Sequence, residues 1–489
     1  MIPGLVFGVE CQTRSPAIDG SAEPAHPGQE AVNLSPGGFP TEVVAATIPG
    51  MDDTLFALPP TDPPESAELA PGTPRLQRPN RGQLELRSVD LDGLLPADHR
   101  ARLVWAFVEG LDLGPLYERI KAVEGHPGRP PIDPAILTAL WLYATLEAVG
   151  SARALDRLCA EHDAYRWLAG GVGVNYHTLA AFRVDHADVL DQLLTESVAA
   201  LLADGLVTMA AVAQDGMRVR AGAGAASYRR RPTLERFLAE AEAQVAALKA
   251  ELDDDPAATS RRVIAARERA ATERAERVRR ALAHLPELEA AKRRAGKPAD
   301  EARASTTDHE AKVMKMADGG YRPAYNVQFA ADTKSQVIVG LDVIATGNDQ
   351  GQLRPMVRQL QGRYDRAPDA LLADAGFLKT ADIDELACGT TLYVPVRTPE
   401  AATRDPYQPL PDDSPAVAAW RIRMGTDKAK ELYKDRAATA ECVNAIARNR
   451  GLQRFGVRGR EKARAIALWF ALAHNLMRTS ALREAAAAT

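Results

Sequence analysis

Three acidic residues far apart in the chain have the types and settings to do chemistry together. Asp215 closes the apolar run VTMAAVAQDG, Asp374 closes ALLADAG, and Glu441 lies in LYKDRAATAECVNAIAR, which runs from Leu432 to Arg448 with helical spacing. At about 100° per residue, Arg436, Arg448 and Glu441 fall roughly −60°, +60° and +80° from Tyr433, so the four share one broad helical face. Two aspartates at strand ends and a glutamate on a helix packed against the sheet would suit a pair of Mg²⁺ ions about 4 Å apart, with Mn²⁺ able to substitute. One ion would activate a water or a 3′-hydroxyl and the other would stabilise the leaving oxygen, the chemistry of phosphodiester hydrolysis and strand transfer. Gly216 would leave room for substrate beside Asp215. Asp332 and Asp349 also stand near strand or helix ends, and either could replace Asp374. Asp435 and Glu431 share the helix of Glu441 but point elsewhere by periodicity.

The elements that must hold these acids are legible as a mixed α/β pattern. Leu206 to Ala213 reads as a strand ending at Asp215, followed by the short alternating piece MRVRA. Strands return in YNVQFAAD, where Tyr325, Val327 and Phe329 alternate with Asn326 and Gln328, and in SQVIVGLDVIATG. NDQGQLRPMVRQLQGRY reads as a helix, DALLADAG as a buried strand and TLYVPVR as another. Antiparallel strands first, then strands alternating with helices, specify a mixed sheet flanked by helices. The last helix, AIALWFALAHNLMRTSAL, is apolar on most faces and should pack under the sheet, with His474 a buried structural residue.

The net charge of −5 argues against a nucleic-acid binder until it is divided along the chain. Residues 1–80 hold ten acids against three arginines and 14 of the 33 prolines, with no helical or strand period, and read as a disordered acidic extension. Met51 offers an internal start. The remainder is about +2 and its basic residues cluster. The four cysteines form no CxxC pair, which fits a reducing compartment and excludes a disulfide framework. No apolar run reaches the roughly 20 residues of a membrane span, and the N-terminus lacks a secretory pattern.

Residues 81–204 read as helices throughout, with Asp133 and Ser151 as N-caps. The link GGVGVNYHT followed by LAAFRVDH has the form of a helix-turn-helix, which would set Arg183 and His186 near a major groove. Tyr228 to Arg231 (YRRR) could clamp phosphates through Arg229, Arg230 and Arg231. Residues 234–304, rich in Ala, Glu and Arg and broken at DDDPAATS, read as a helical hairpin inserted in a domain spanning 205–480. Arg450, Arg454, Arg458, Arg460, Lys462 and Arg464 gather around Phe455 in a candidate surface for DNA backbone.

Taken in combination, Tyr433, Arg436, Glu441 and Arg448 resemble the Y-R-E-K signature of DDE transposases of bacterial insertion sequences. QDGMRVRA, GYRPAYNVQFAAD, LLADAGF, the closing AHNLMR and the N-terminal GRPPIDPAILTALWLYATLEAVGSARALDRLC support the resemblance, which covers roughly residues 80–480. It implies an RNase H-like core with Asp215, Asp374 and Glu441 holding two Mg²⁺ ions, and Tyr433, Arg436 and Arg448 on DNA phosphates near the cut. It also implies double-stranded DNA as partner, at terminal inverted repeats and target, a homodimer assembled on that DNA, and a cytoplasmic, nucleoid-associated protein. Two departures stand out. Four residues separate Arg436 from Glu441 where the common signature has three, which in an α-helix rotates the acid by about 100°. Arg448 stands for the lysine, keeping charge but changing contact geometry. Two other readings fit parts of the chain. A helix-turn-helix regulator dimerising through the hairpin leaves the three acids without a role, and a nuclease with the same core would cut without joining.

Overall fold

The computed structural model describes residues 90–122, 130–254, 261–397 and 404–488. The acidic extension and most of the DDDPAATS bend lie outside these residues.

Helices come first because the sequence between Arg100 and Ala203 places apolar residues at helical spacing and polar caps where each turn begins. Asp133 accepts from the Ala135 N–H at 2.8 Å, Ser151 from Ala154 at 3.3 Å and Asn175 from Thr178 at 3.0 Å, each filling an otherwise unpaired amide of a first turn. The helix Pro134–Leu146 is buried over nearly its whole length and forms the middle of this layer.

The strands are β1 (Ala211–Arg220), β2 (Tyr228–Arg229), β3 (Ala304–Ser305), β4 (Lys312–Lys315), β5 (Tyr321–Asp332), β6 (Ile338–Ile344), β7 (Ala370–Leu372) and β8 (Thr391–Tyr393). The main sheet runs β4-β5-β1-β7-β8, with β6 also beside β5. β1, β5 and β6 pair antiparallel, whereas β7 and β8 run parallel to β1. Asp215 stands inside β1, not at its end, paired across the ladder with Phe329. Gly216 does not stop the strand, because Met217 and Val219 beyond it are buried and continue the alternation.

β2 and β3 form a small ladder that closes the base of a hairpin built from the helices Arg231–Asp254 and Arg261–Arg294. Leu234, Val278, Ala281 and Leu285 fill the contact near the base. Arg279 pairs with Glu242 at 2.9 Å further out.

The helix Arg460–Ala487 joins the two layers. Its run Ala463–Leu476 is buried except at Arg464 and largely apolar because it is covered on two sides, by β6 of the sheet and by the helices Pro134–Leu146, Tyr176–Asp185 and Ala187–Ala203. Phe470 meets Phe329 edge-on at 5.5 Å, while the Trp469 indole donates to the Arg183 carbonyl at 3.0 Å. Asn475 donates to and accepts from the Ile338 backbone, both at 2.8 Å, and so occupies ladder positions on the edge of β6 away from β5.

One turn of this helix also predicts a pH response. The His474 ring donates to the Gln336 carbonyl at 2.8 Å, and burial pulls its pKa from 6.5 down to about 4. As pH falls through 6.5 the unfolded chain takes up a proton that the folded chain refuses until about 4, so stability is lost across that window. Urea unfolding midpoints measured between pH 7 and 4 should fall less steeply in His474→Gln than in the parent chain.

Candidate active site

The apolar part of the Glu441 helix seats it on the sheet. Ala440 and Leu432 pack against Ala211, Ala213, Ala370 and Leu372, which are the residues leading into Asp215 and Asp374. This contact decides what lies between the two acids. The Arg436 guanidinium, itself 13% exposed, approaches Asp215 at 3.2 Å and Asp374 at 3.8 Å through a single nitrogen. Two carboxylates, one within β1 and one just past β7, therefore converge on one cation.

Each carboxylate is also held by backbone close to it in the chain. Asp215 Oδ1 accepts from the Gly216 N–H at 2.9 Å, and its Oδ2 accepts from the Asn444 amide at 2.9 Å. Asp374 Oδ1 accepts from the Gly376 N–H at 2.6 Å. Burial pushes the Asp215 carboxyl above the usual carboxylate range. Arg436 and the Gly216 N–H oppose this, and repulsion from Asp374 and Asp349 adds to it. Asp215 is thus held in a setting where its charge needs a cation nearby.

Asp349 is the third acid of the cleft. It accepts from Asn326 at 2.6 Å and Gln328 at 2.8 Å, two amides projecting from β5. A Cβ on Gly216 would lie 2.3 Å from the Asp349 Oδ1, so glycine is what lets this acid stand beside Asp215. Asp332 is differently employed. Its two oxygens accept from Met209 and Ser335, tying the turn between β5 and β6.

Glu441 is exposed and its carboxylate makes no hydrogen bond or ion pair among the described residues. The helix opens into a π turn over Ala437–Glu441, which takes up the extra residue between Arg436 and Glu441. Beyond that turn Glu441, Asn444 three residues on and Arg448 seven residues on share one strip of the helix. Among the described residues no three His, Cys, Asp or Glu side chains lie close enough to enclose a metal ion. The hard oxygen donors of Asp215 and Asp374 around one cation do fit a divalent ion as half of such a site.

The cleft, about 540 Å³, is lined by Asp215, Asp349, Asp374, Arg218, Arg322 and Arg448 among others. Arg218 is tied to the Lys315 and Gly347 carbonyls and Arg322 to Asp318. The Arg448 guanidinium has no partner among the described residues. Tyr433 donates to the Ala373 carbonyl at 3.3 Å and is half-buried.

The other basic candidates divide. Arg231 is committed to Glu289 at 2.9 Å and Arg229 to the Tyr228 carbonyl at 3.2 Å, whereas Arg230, Arg454 and Arg458 have unpaired guanidinium groups among the described residues. Arg183 turns inward: it stacks on Trp141 at 4.4 Å and donates to the Gly150 carbonyl, because the helix Tyr176–Asp185 packs that side against Pro134–Leu146. The sequence reading missed Asn444, Asn326 and Gln328. Their signal is a polar residue within an otherwise apolar buried pattern.

Residues 89–185 match a family described as Transposase domain (DUF772), and residues 294–476 match the Transposase DDE domain. The two matches together span more than half of the chain. The chain belongs to the DDE transposases of insertion sequences. No curated protein and no solved structure matches it. The transposase carries Asp374, Tyr433, Arg436, Glu441 and Arg448 within the second match, while Asp215 lies between the two. Membership makes it a nucleotidyl-transfer enzyme acting on DNA. Among the described residues of the transposase, no helix is long and apolar enough to cross a membrane.

Proposed function

We propose that this transposase cuts and joins DNA at the ends of its own insertion sequence through Asp215, Asp374 and Glu441. The observation that carries this reading is the single Arg436 nitrogen touching both aspartates. In that position the guanidinium balances two carboxylates that a divalent cation could take over.

Asp215 and Asp374 would hold the ions, with Glu441 contributing from the exposed strip of its helix. Two Mg²⁺ ions bound there would activate the attacking oxygen and stabilise the leaving one. The chain's own residues prepare that site. Asn444 and the Gly216 N–H fix both oxygens of Asp215, and the helix that follows the π turn sets Glu441 on the strip that carries Arg448. Arg436, displaced from the carboxylates, joins Arg448 and Tyr433 as a contact for phosphate. The strand order β6-β5-β1-β7-β8 supports reading the sheet as RNase H-like. The helices before β1 would bind the inverted repeats, with Arg230, Arg454 and Arg458 on the backbone. Two chains would assemble on paired DNA ends in the nucleoid.

The test is cleavage and joining of a DNA duplex carrying the inverted repeats that flank the gene, in Mg²⁺. Chelation with EDTA is expected to abolish both steps, and Mn²⁺ to restore them. Glu441→Gln is expected to reduce cleavage by at least about a hundredfold with DNA binding retained. Cleavage that survives chelation, or an unimpaired Glu441→Gln, would sink the assignment.

A further inference from the structure

Between the helical layer and the segment that follows the Glu441 helix lies a cavity of about 80 Å³, away from the acids. One wall is Thr145 and the stretch from Ala148 to Gly150 with Arg183, and the other is Arg450 to Leu452 with Arg454 and Gly456. The two backbones approach closely there: a Cβ on Gly451, whose φ is +85°, would come 3.7 Å from the Ala148 carbonyl.

Three arginines line this space and no carboxylate does. The Arg183 Nε and the Arg450 Nη1 are buried and have no hydrogen-bond partner. Arg454 adds a third guanidinium with no partner among the described residues. The nearby Glu147 is already paired with Arg100 at 2.8 Å. Burial lowers the pKa of Arg183 to about 10 and lowers that of Arg450 as well, Arg100 adding to the second and Glu147 only partly opposing it.

Buried guanidinium groups without a counter-charge are unfavourable, since each has left water and each unpaired N–H forfeits a hydrogen bond. A cavity of this size has room for several water-sized groups. Planar guanidinium forks match tetrahedral oxyanions, which accept from two nitrogens at once. We propose that this cavity is a phosphate site in which Arg183, Arg450 and Arg454 clasp one oxyanion between the helical layer and the catalytic core. The phosphate is either free inorganic phosphate or one group of a DNA backbone. Because Arg183 also stacks on Trp141 and its carbonyl holds Trp469, an anion here would stiffen the junction between the two layers.

The test is the thermal melting of the full chain in increasing inorganic phosphate against potassium chloride of equal ionic strength. The expected result is a saturable rise in Tm of about 3 °C. Arg450→Met and Arg454→Met should each lose that rise. For a variant that melts early, broadening of the ³¹P signal of phosphate at low temperature gives the same comparison and should weaken at least about tenfold. Duplex DNA that displaces the phosphate identifies a backbone phosphate as the natural occupant; phosphate retained beside bound DNA identifies the free ion. The readout is independent of cleavage, so it stands apart from the catalytic assignment. Equal melting in phosphate and chloride, or an undiminished response in both variants as a general salt effect would give, overturns the proposal.

Discussion

Asp215→Asn is expected to lower strand cleavage by at least about a thousandfold, roughly 4 kcal/mol of transition-state stabilisation, with DNA binding nearly unchanged. The substitution keeps the shape of the side chain, and its one amide oxygen can still accept from either the Gly216 N–H or the Asn444 amide, each 2.9 Å from the native carboxylate. What disappears is the charge that would hold a divalent ion. Stability should change little, because the ionised carboxyl at this position is disfavoured by burial and only partly compensated by Arg436. Initial cleavage rates, DNA affinity and melting temperature measured on one preparation separate these effects. A variant cutting within tenfold of the parent would remove Asp215 from the chemistry. A variant that melts far below it would show instead that the carboxylate is structural.

Gly216→Ala should destabilise the folded chain by about 3 kcal/mol, the cost of forcing a methyl group into filled space and breaking buried hydrogen bonds. The new Cβ would lie 2.3 Å from Asp349 Oδ1, 2.6 Å from Gln328 Nε2 and 2.8 Å from Asn326 Oδ1. None of these can step aside cheaply. Asn326 and Gln328 are buried on β5, and both are bonded to Asp349, so relief of the clash unpairs a carboxylate. Urea unfolding measures the loss as a lower midpoint at an unchanged slope. A shift under about 0.5 kcal/mol would mean that the Asp349 loop moves freely and does not belong to the framework of the site.

The sequence is informative where one physical requirement dominates and less so where two compete. The alternation of YNVQFAAD and the apolar run of SQVIVGLDVIATG specify strands, and β5 and β6 are there. Asp133 and Ser151 announce helix starts, since their side chains satisfy amides that have no other partner. Gly216 reads as room for substrate beside Asp215, but the space over its Cα is taken by Asp349, Gln328 and Asn326, a fact of tertiary packing. Arg183 misleads in another way. Helical periodicity gives its angle, but whether that side meets DNA or Trp141 depends on which helix packs there. The extra residue before Glu441 reads as a rotation in an ideal α-helix, and the π turn that takes it up has no propensity signature. Arg231 looks like part of a phosphate clamp until the hairpin closes and brings Glu289, 58 residues on, against it.

The helix Arg460–Ala487 follows in the chain every element that it packs against. On the ribosome, then, the earlier helices and strands are synthesised and wait, with the surfaces that Trp469 and Phe470 will cover still open to water. Synthesis at about 5–20 residues per second leaves them exposed for many seconds. Asp215 emerges more than two hundred residues before the helix that completes its surroundings. A nascent transposase therefore cannot finish its core ahead of its own translation. The interval in which the half-built sheet stays open to water is set by the length of the message downstream of β1.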